Sequence, residues 1–134
     1  MPSIDAIRGM PLNSARQLRK KGIRTTEALL RNAGTRSGRR SLAHATKLKE
    51  REILEWVNRA DLMRIKGVGA EYADLLEAVG VDTVKELRRR NPNSLARMAN
   101  ALNDKQRLVR RLPTNGMITG WVDHAKSLKP LVKY

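Results

Sequence analysis

The stretch Ile65-Lys66-Gly67-Val68-Gly69-Ala70-Glu71-Tyr72-Ala73-Asp74-Leu75-Leu76 decides how the rest of the chain is read. It predicts a short helix ending at Ile65, a Gly-Val-Gly turn, and a second helix starting at Ala70. Gly67 and Gly69 permit positive φ and let two helices meet across a very short connection. Val68 fits between those helices, and Ala73 is small enough for them to approach closely. Tyr72, Leu75, Leu76 and Val79 supply an apolar stripe. A helix start of this kind also presents unpaired N–H groups, which suit a phosphate oxygen.

The pattern occurs twice. A shift of 58 residues lays Ile7-Arg8-Gly9-Met10-Pro11 on Ile65-Lys66-Gly67-Val68-Gly69, and Ala15 on Ala73. Leu18 then falls on Leu76, Gly22-Ile23 on Gly80-Val81, Thr25 on Thr83 and Leu29 on Leu87. A longer offset brings Ile53, Trp56-Val57 and Ala60 onto Ile118, Trp121-Val122 and Ala125. The chain therefore reads as a duplication whose linkers differ in length.

These residues resemble the helix-hairpin-helix motif, a DNA-binding element without sequence preference. Two in tandem are similar to the paired domains of DNA repair and recombination proteins, and that resemblance implies a grip on phosphates of both strands across the minor groove. The segment Gly80-Val81-Asp82-Thr83-Val84-Lys85-Glu86-Leu87 is also similar to the C-terminal domain of the RNA polymerase alpha subunit. Over nearly all of residues 3–128 the chain resembles a bacterial family of uncharacterised proteins with this duplicated architecture. The matching stretches are Arg39-Arg40-Ser41-Leu42-Ala43, Ile53 to Leu62, and Leu108-Val109-Arg110-Arg111-Leu112-Pro113. Two departures from the best DNA-binding hairpins stand out. Pro11 replaces the second glycine and lacks an N–H, and Glu71 occupies the start of the second hairpin's helix.

Elsewhere the local signals are helical. Ser3 caps a short helix to about Ile7, Pro11 opens one that Gly22 ends, and Thr25 or Thr26 caps another through Leu30. Asn32 to Gly38 reads as a loop and Arg39 to Ala45 as a short helix. In Lys49 to Leu62, Ile53, Trp56, Val57 and Ala60 recur at i, i+3, i+4 and i+7. This spacing, repeated at Trp121, assigns both tryptophans to the core. Thr83 and Glu86 have capping-box spacing, and Asn91-Pro92 restarts a helix through Leu102. Asn103 or Asp104 is read as the cap of a helix carrying Leu108 and Val109, closed by Pro113. The last helix starts near Asn115, and Lys129 to Tyr134 is expected to fray. The fold class is all-α: two helix-hairpin-helix repeats joined by an amphipathic helix, with additional C-terminal helices. The division expected is a first lobe over 1–60, a second over 61–128, and a tail over 129–134.

Charge is the strongest global signal. The 134 residues hold 28 Lys and Arg against 13 Asp and Glu, a net +15, with the acidic residues concentrated between Lys49 and Leu87. Such an excess points to a polyanion. The absence of cysteine excludes disulfides, thiolate chemistry and Cys-based metal centres. No apolar run approaches the ~18 residues that span a bilayer, and a cytoplasmic location is expected, nucleoid-associated if the source is bacterial. His44 and His124 lack metal-ligand spacing, no serine sits in a nucleophile elbow, and no Gly-Lys-Ser/Thr follows the glycine turn. The expectation is a non-enzyme without metal, cofactor or small-molecule substrate.

The expected partner is double-stranded DNA, bound without sequence preference. Its candidate contacts are Arg8, Gly9, Arg16, Arg19, Arg36, Arg39 and Arg40 in the first half. In the second half they are Lys66, Gly67, Val68, Gly69, Ala70, the Arg88-Arg89-Arg90 triplet, and Arg107, Arg110 and Arg111, read as one helix face. Two other readings stay open: a scaffold that docks a protein through the acidic central segment, and an RNA binder.

Overall fold

The computed structural model describes residues 2–134, and among them the protein is all-helical, with no strand. A 3-10 turn over Ile4–Ala6 leads into α1 (Leu12–Lys20), α2 (Thr26–Ala33), α3 (Arg36–Thr46) and α4 (Glu50–Leu62). Then follow α5 (Ala70–Ala78), α6 (Val84–Leu87), α7 (Pro92–Gln106) and α8 (Asn115–Ser127). The chain divides into two compact units. The first is built from residues 1–61 and 131–134, the second from 62–130.

Backbone geometry repeats with the sequence. A shift of 58 carries α1 onto α5, and a shift of 65 carries α4 onto α8, end for end. Both nine-residue helices stop in the same way. Gly22 (φ +80°) and Gly80 (φ +93°) adopt the left-handed region. The amides beyond them turn back onto the helix, Ile23 N–H to Leu18 O at 3.0 Å and Val81 N–H to Leu76 O at 2.9 Å. This Schellman arrangement brings Ile23 onto Leu18 and Val81 onto Leu76, all four buried.

In the first unit α2 packs on α3, and the buried face of α4 is Ile53, Trp56, Val57 and Ala60. In the second, α7 and α6 pack on α8 and α5 on α7. Its core joins Leu62, Ile65, Val68, Leu76, Val81, Leu87, Leu95, Ile118, Trp121 and Val122. Trp56 and Trp121 are 2% and 3% exposed, core residues as their spacing predicts. The side chains of Thr25, Thr35, Thr83, Asn91 and Thr114 each accept an N–H from the first turn of the helix they precede. Each such cap stabilises its helix by about 1 kcal/mol.

Three local expectations are corrected. The segment 32–38 is not a loop, because α2 runs to Ala33 and α3 already starts at Arg36 under the Thr35 cap. Gly38 sits inside α3 because a Cβ there would lie 2.3 Å from the Asn32 carbonyl oxygen. Residues 108–113 form no helix. α7 instead continues through Asn103 and Asp104 to Gln106, and Arg107 ends it in the left-handed region at φ +48°. The Asn103 side chain then bonds both backbone groups of Val109, at 3.0 and 3.3 Å, and fixes an extended turn. The end of the chain is tied down rather than frayed. Lys133 N–H donates to Gly34 O at 2.8 Å, the Tyr134 hydroxyl reaches Asn58, and Val132 is buried.

Candidate nucleic-acid interface

Each unit places a tight turn in front of its nine-residue helix. Ile7 N–H bonds Ile4 O, and Ile65 N–H bonds Leu62 O, both at 3.1 Å. Gly9 (φ +82°) and Gly67 (φ +91°) then reverse the chain, a conformation that costs any residue with a Cβ about 1–2 kcal/mol. Gly69 does not use the freedom its sequence allows. It is extended, at φ −97° and ψ −163°, and needs no left-handed freedom. Pro11 at φ −62° and ψ 150° fills the equivalent place in the first unit, which explains how a proline substitutes for that glycine. Pro11 and Gly69 are N-caps without a side-chain hydrogen bond, in contrast to the five capped helices. The N-cap residues therefore offer no side-chain acceptor to the starts of α1 and α5.

A side chain from the 13-residue helix clasps each turn. In the first unit Arg59 Nη1 donates to Arg8 O at 3.1 Å, and in the second Lys66 N–H donates to His124 Nδ1 at 3.0 Å. Arg8 and Lys66 are equivalent positions, as are Arg59 and His124, but the polarity of the bond is reversed. The Lys66 amide is thereby engaged inside the fold, as is the Val68 amide, which bonds Ile65 O at 3.0 Å. Val68 itself is buried. What the second turn exposes is the Lys66 side chain, Gly67 and Gly69, with Ala70 half-buried at the start of α5.

The candidate cations separate by position. Tyr72, in the first turn of α5, donates its hydroxyl to Arg111 O at 2.9 Å while its ring tilts 49° against Trp121 at 5.1 Å. Helical side chains lean toward the helix N-terminus, so this bond sets the exposed Arg110–Arg111 segment beside the Lys66–Ala70 turn. Arg107, Arg110 and Arg111 do not share a helix face, since no helix exists there. The Arg88–Arg90 triplet lies at the opposite end of α5, where Arg90 Nη2 donates to Gly80 O at 3.2 Å. Nine helical residues separate the two ends by roughly 13 Å.

In the first unit Arg16, Arg36 and Arg40 are exposed, and Arg19 is half-buried in an ion pair with Asp5. Arg39 is corrected outright. It is 4% exposed, and its guanidinium donates to Ala33 O (3.1 Å), Gly34 O (2.9 Å) and Lys133 O (2.7 Å). Burial pulls its pKa below the ordinary arginine value against the opposing influence of Tyr134 and Glu50, with Arg36 adding to the depression. Arg39 is a structural cation that cannot reach a phosphate.

A profile of the domain of unknown function DUF4332 matches residues 8–128. The chain belongs to the DUF4332 family. The match runs through both units and includes both glycine turns. No curated protein and no solved structure matches the chain significantly. Among the described residues no helix is long and apolar enough to cross a membrane, and no group of His, Asp or Glu could hold a metal ion.

A groove that sequence reasoning missed lies in the second unit. It has a volume of about 370 Å³ and is lined by Lys66 and Gly67 of the turn and by Gly116, Met117, Gly120, Trp121 and His124 of α8. A Cβ on Gly120 would meet nothing within 4 Å. A glycine inside a helix costs about 1 kcal/mol relative to alanine, and here no packing requirement offsets that cost. The readable signal was Gly-x-x-x-Gly on an otherwise strongly helical segment.

Proposed function

We propose that this protein is a non-enzymatic binder of duplex nucleic acid, DNA first, with little sequence preference. In this reading each unit is a helix-hairpin-helix module whose helix start receives a backbone phosphate. The observation that carries it is the pair of equivalent, uncapped helix starts, α1 after Pro11 and α5 after Gly69, in a chain of net charge +15. Amide N–H groups at such a start, together with the helix dipole, favour an anion. Lys66, Arg110 and Arg111 add charge beside the second start, and Arg8 and Arg16 beside the first. Arg36, Arg40, Arg89 and Arg107 contribute to the longer-range field. The half-buried first turn of α5 also carries Glu71, which narrows the approach to the second start and gives the first, free of acidic residues in its opening turn, the stronger field. The scaffold reading is less favoured, because its acidic segment is confined to the middle of a chain whose net charge is +15.

The test is fluorescence anisotropy across a salt series with a labelled random duplex, a single strand and an RNA hairpin. Neutralising about six phosphates gives a slope of log affinity against log salt near −5, and the paired change Arg110→Ala, Arg111→Ala makes it shallower by about 2. No binding at low salt would sink the proposal. Equal affinity for the RNA hairpin would redirect it to RNA. An unchanged slope in the double variant would remove the segment beside α5 from the interface.

A further inference from the structure

The two units provide an internal control for the groove on α8. At the positions equivalent to Gly116, Met117, Gly120 and His124, the first unit carries Arg51, Glu52, Glu55 and Arg59. Arg59 reaches across its own turn, where its Nη1 lies 3.5 Å from the point at which a Cβ on Gly9 would sit. In the second unit a shorter histidine stands there, two glycines replace charged side chains, and the corresponding space is open. At these four positions the two copies thus differ in both side-chain size and charge.

The open space exposes a specific donor. Trp121 is 97% buried by residue, yet its Nε1 lies 3.3 Å from the point a Gly67 Cβ would occupy, at the groove wall. Its ring contacts Tyr72, and its indole N–H has no hydrogen-bond partner. An indole N–H that makes no bond within the fold and faces the groove is available to an acceptor that enters it. Around it stand the Lys66 ammonium and the His124 ring. That ring accepts at Nδ1, so its neutral form carries a proton on Nε2. Every side-chain polar group lining the groove can thus donate, and none is a carboxylate. Met117, Gly120 and the indole ring form an apolar floor.

We propose that this groove is a site for a nucleoside phosphate, its phosphate oxygens accepting from Trp121 Nε1, Lys66 and His124 and its base lying on the Met117–Gly120 floor. The choice of a nucleoside over another flat anion rests on the nucleic-acid reading. The ligand is either a free nucleotide or the phosphorylated end of a strand, because both present the same chemistry.

The experiment is a ¹H–¹⁵N titration of the full chain, following the indole N–H signals of Trp121 and Trp56. The probes are inorganic phosphate, adenosine 5′-monophosphate, and a short oligonucleotide with and without a 5′-phosphate. A saturable shift of the Trp121 signal with the nucleotide, at least tenfold tighter than with inorganic phosphate, and with Trp56 unmoved, is the expected result. Response to the 5′-phosphorylated strand but not its unphosphorylated counterpart assigns a strand end, and response to the mononucleotide alone assigns a free nucleotide. Gly120→Leu fills the floor and is expected to weaken nucleotide binding at least tenfold, while leaving duplex affinity and its salt slope unchanged. Gly120→Ala retains binding and reports that the helix tolerates a side chain there. No Trp121 shift with any probe, equal shifts of both tryptophans, or full binding by Gly120→Leu overturns the proposal. A Trp121 response in a protein that fails to bind duplex leaves the groove standing and refutes only the duplex reading. Duplex binding with a silent Trp121 does the reverse.

Discussion

Replacing Arg39 with alanine should destabilise the first unit by about 3–4 kcal/mol. Its guanidinium joins three carbonyls, those of Ala33, Gly34 and Lys133, at 3.1, 2.9 and 2.7 Å, in a site almost closed to solvent. Hydrogen bonds to a charged group contribute roughly 1.5–3 kcal/mol each, so three set an upper figure of about 5–9 kcal/mol. Gly34 O keeps a second donor, the Lys133 amide at 2.8 Å, and water entering the vacated space recovers part of the remainder. About half of the upper figure is therefore expected to appear. Arg39→Lys should recover little, because a single ammonium cannot span three acceptors held in a guanidinium's geometry. Arg40→Ala, exposed on the same helix, is the control and should change stability by less than about 0.5 kcal/mol. The assay is urea unfolding followed by helical circular dichroism. Removing residues 131–134 deletes one of the same three bonds, so Arg39→Ala combined with that truncation should cost less than the two separate losses together. Equal effects of Arg39→Ala and Arg40→Ala, or strict additivity with the truncation, would refute the reasoning.

Two further outcomes follow from the second unit. Gly67→Ala should lower stability by about 1–2 kcal/mol through its left-handed φ of +91°, whereas Gly69→Ala, extended and with open space at its Cβ, should stay within about 0.5 kcal/mol in the same unfolding assay. The Asp82 carboxyl is raised above its ordinary value by burial and then by the neighbouring Glu86 carboxylate. A raised acid contributes stability that is complete below its unfolded pKa and lost as pH rises through the folded value. Asp82→Asn should therefore melt higher than the parent near neutral pH, and the difference should disappear below the ordinary Asp value of 3.8. A difference independent of pH would refute this.

What was legible in the sequence was what neighbours along the chain decide. The i, i+3, i+4, i+7 spacing at Trp56 and Trp121, the closing glycines at 22 and 80, and the caps at Thr25, Thr83 and Asn91 all act within one or two turns, and their elements fall where expected. The misread places are set by contacts remote in sequence or hidden by composition. Gly38 looks like a loop residue but is a helical glycine wedged against a carbonyl. Asn103 looks like a helix cap but brackets Val109 instead. Arg39 sits between Arg36 and Arg40 and shares their chemistry, and only its partner at Lys133, 94 residues away, separates it from a surface arginine. Charge clusters read along the chain likewise gave no hint that the triplet at Arg88 and the pair at Arg110 stand at opposite ends of α5. The groove on α8 is defined by side chains that are missing, and a search for present chemistry passes over it.

The return of residues 131–134 to the first unit has a consequence for the order in which the protein can be made. The N-terminal helices leave the ribosome first, yet the acceptor that completes their arginine site is translated only after the whole second unit. Until then Arg39 lacks one of its three partners, and the α2–α3 corner is held by the other two. The second unit, by contrast, is continuous over residues 62–130 and has every part of itself by the time Pro130 emerges. The second unit thus needs no segment from outside its own stretch, and the first waits for a closure with large sequence separation, the kind of contact that slows folding. Pulse-labelled hydrogen exchange during refolding would show this as earlier protection at Leu76 and Val122 than at Ala33 and Gly34.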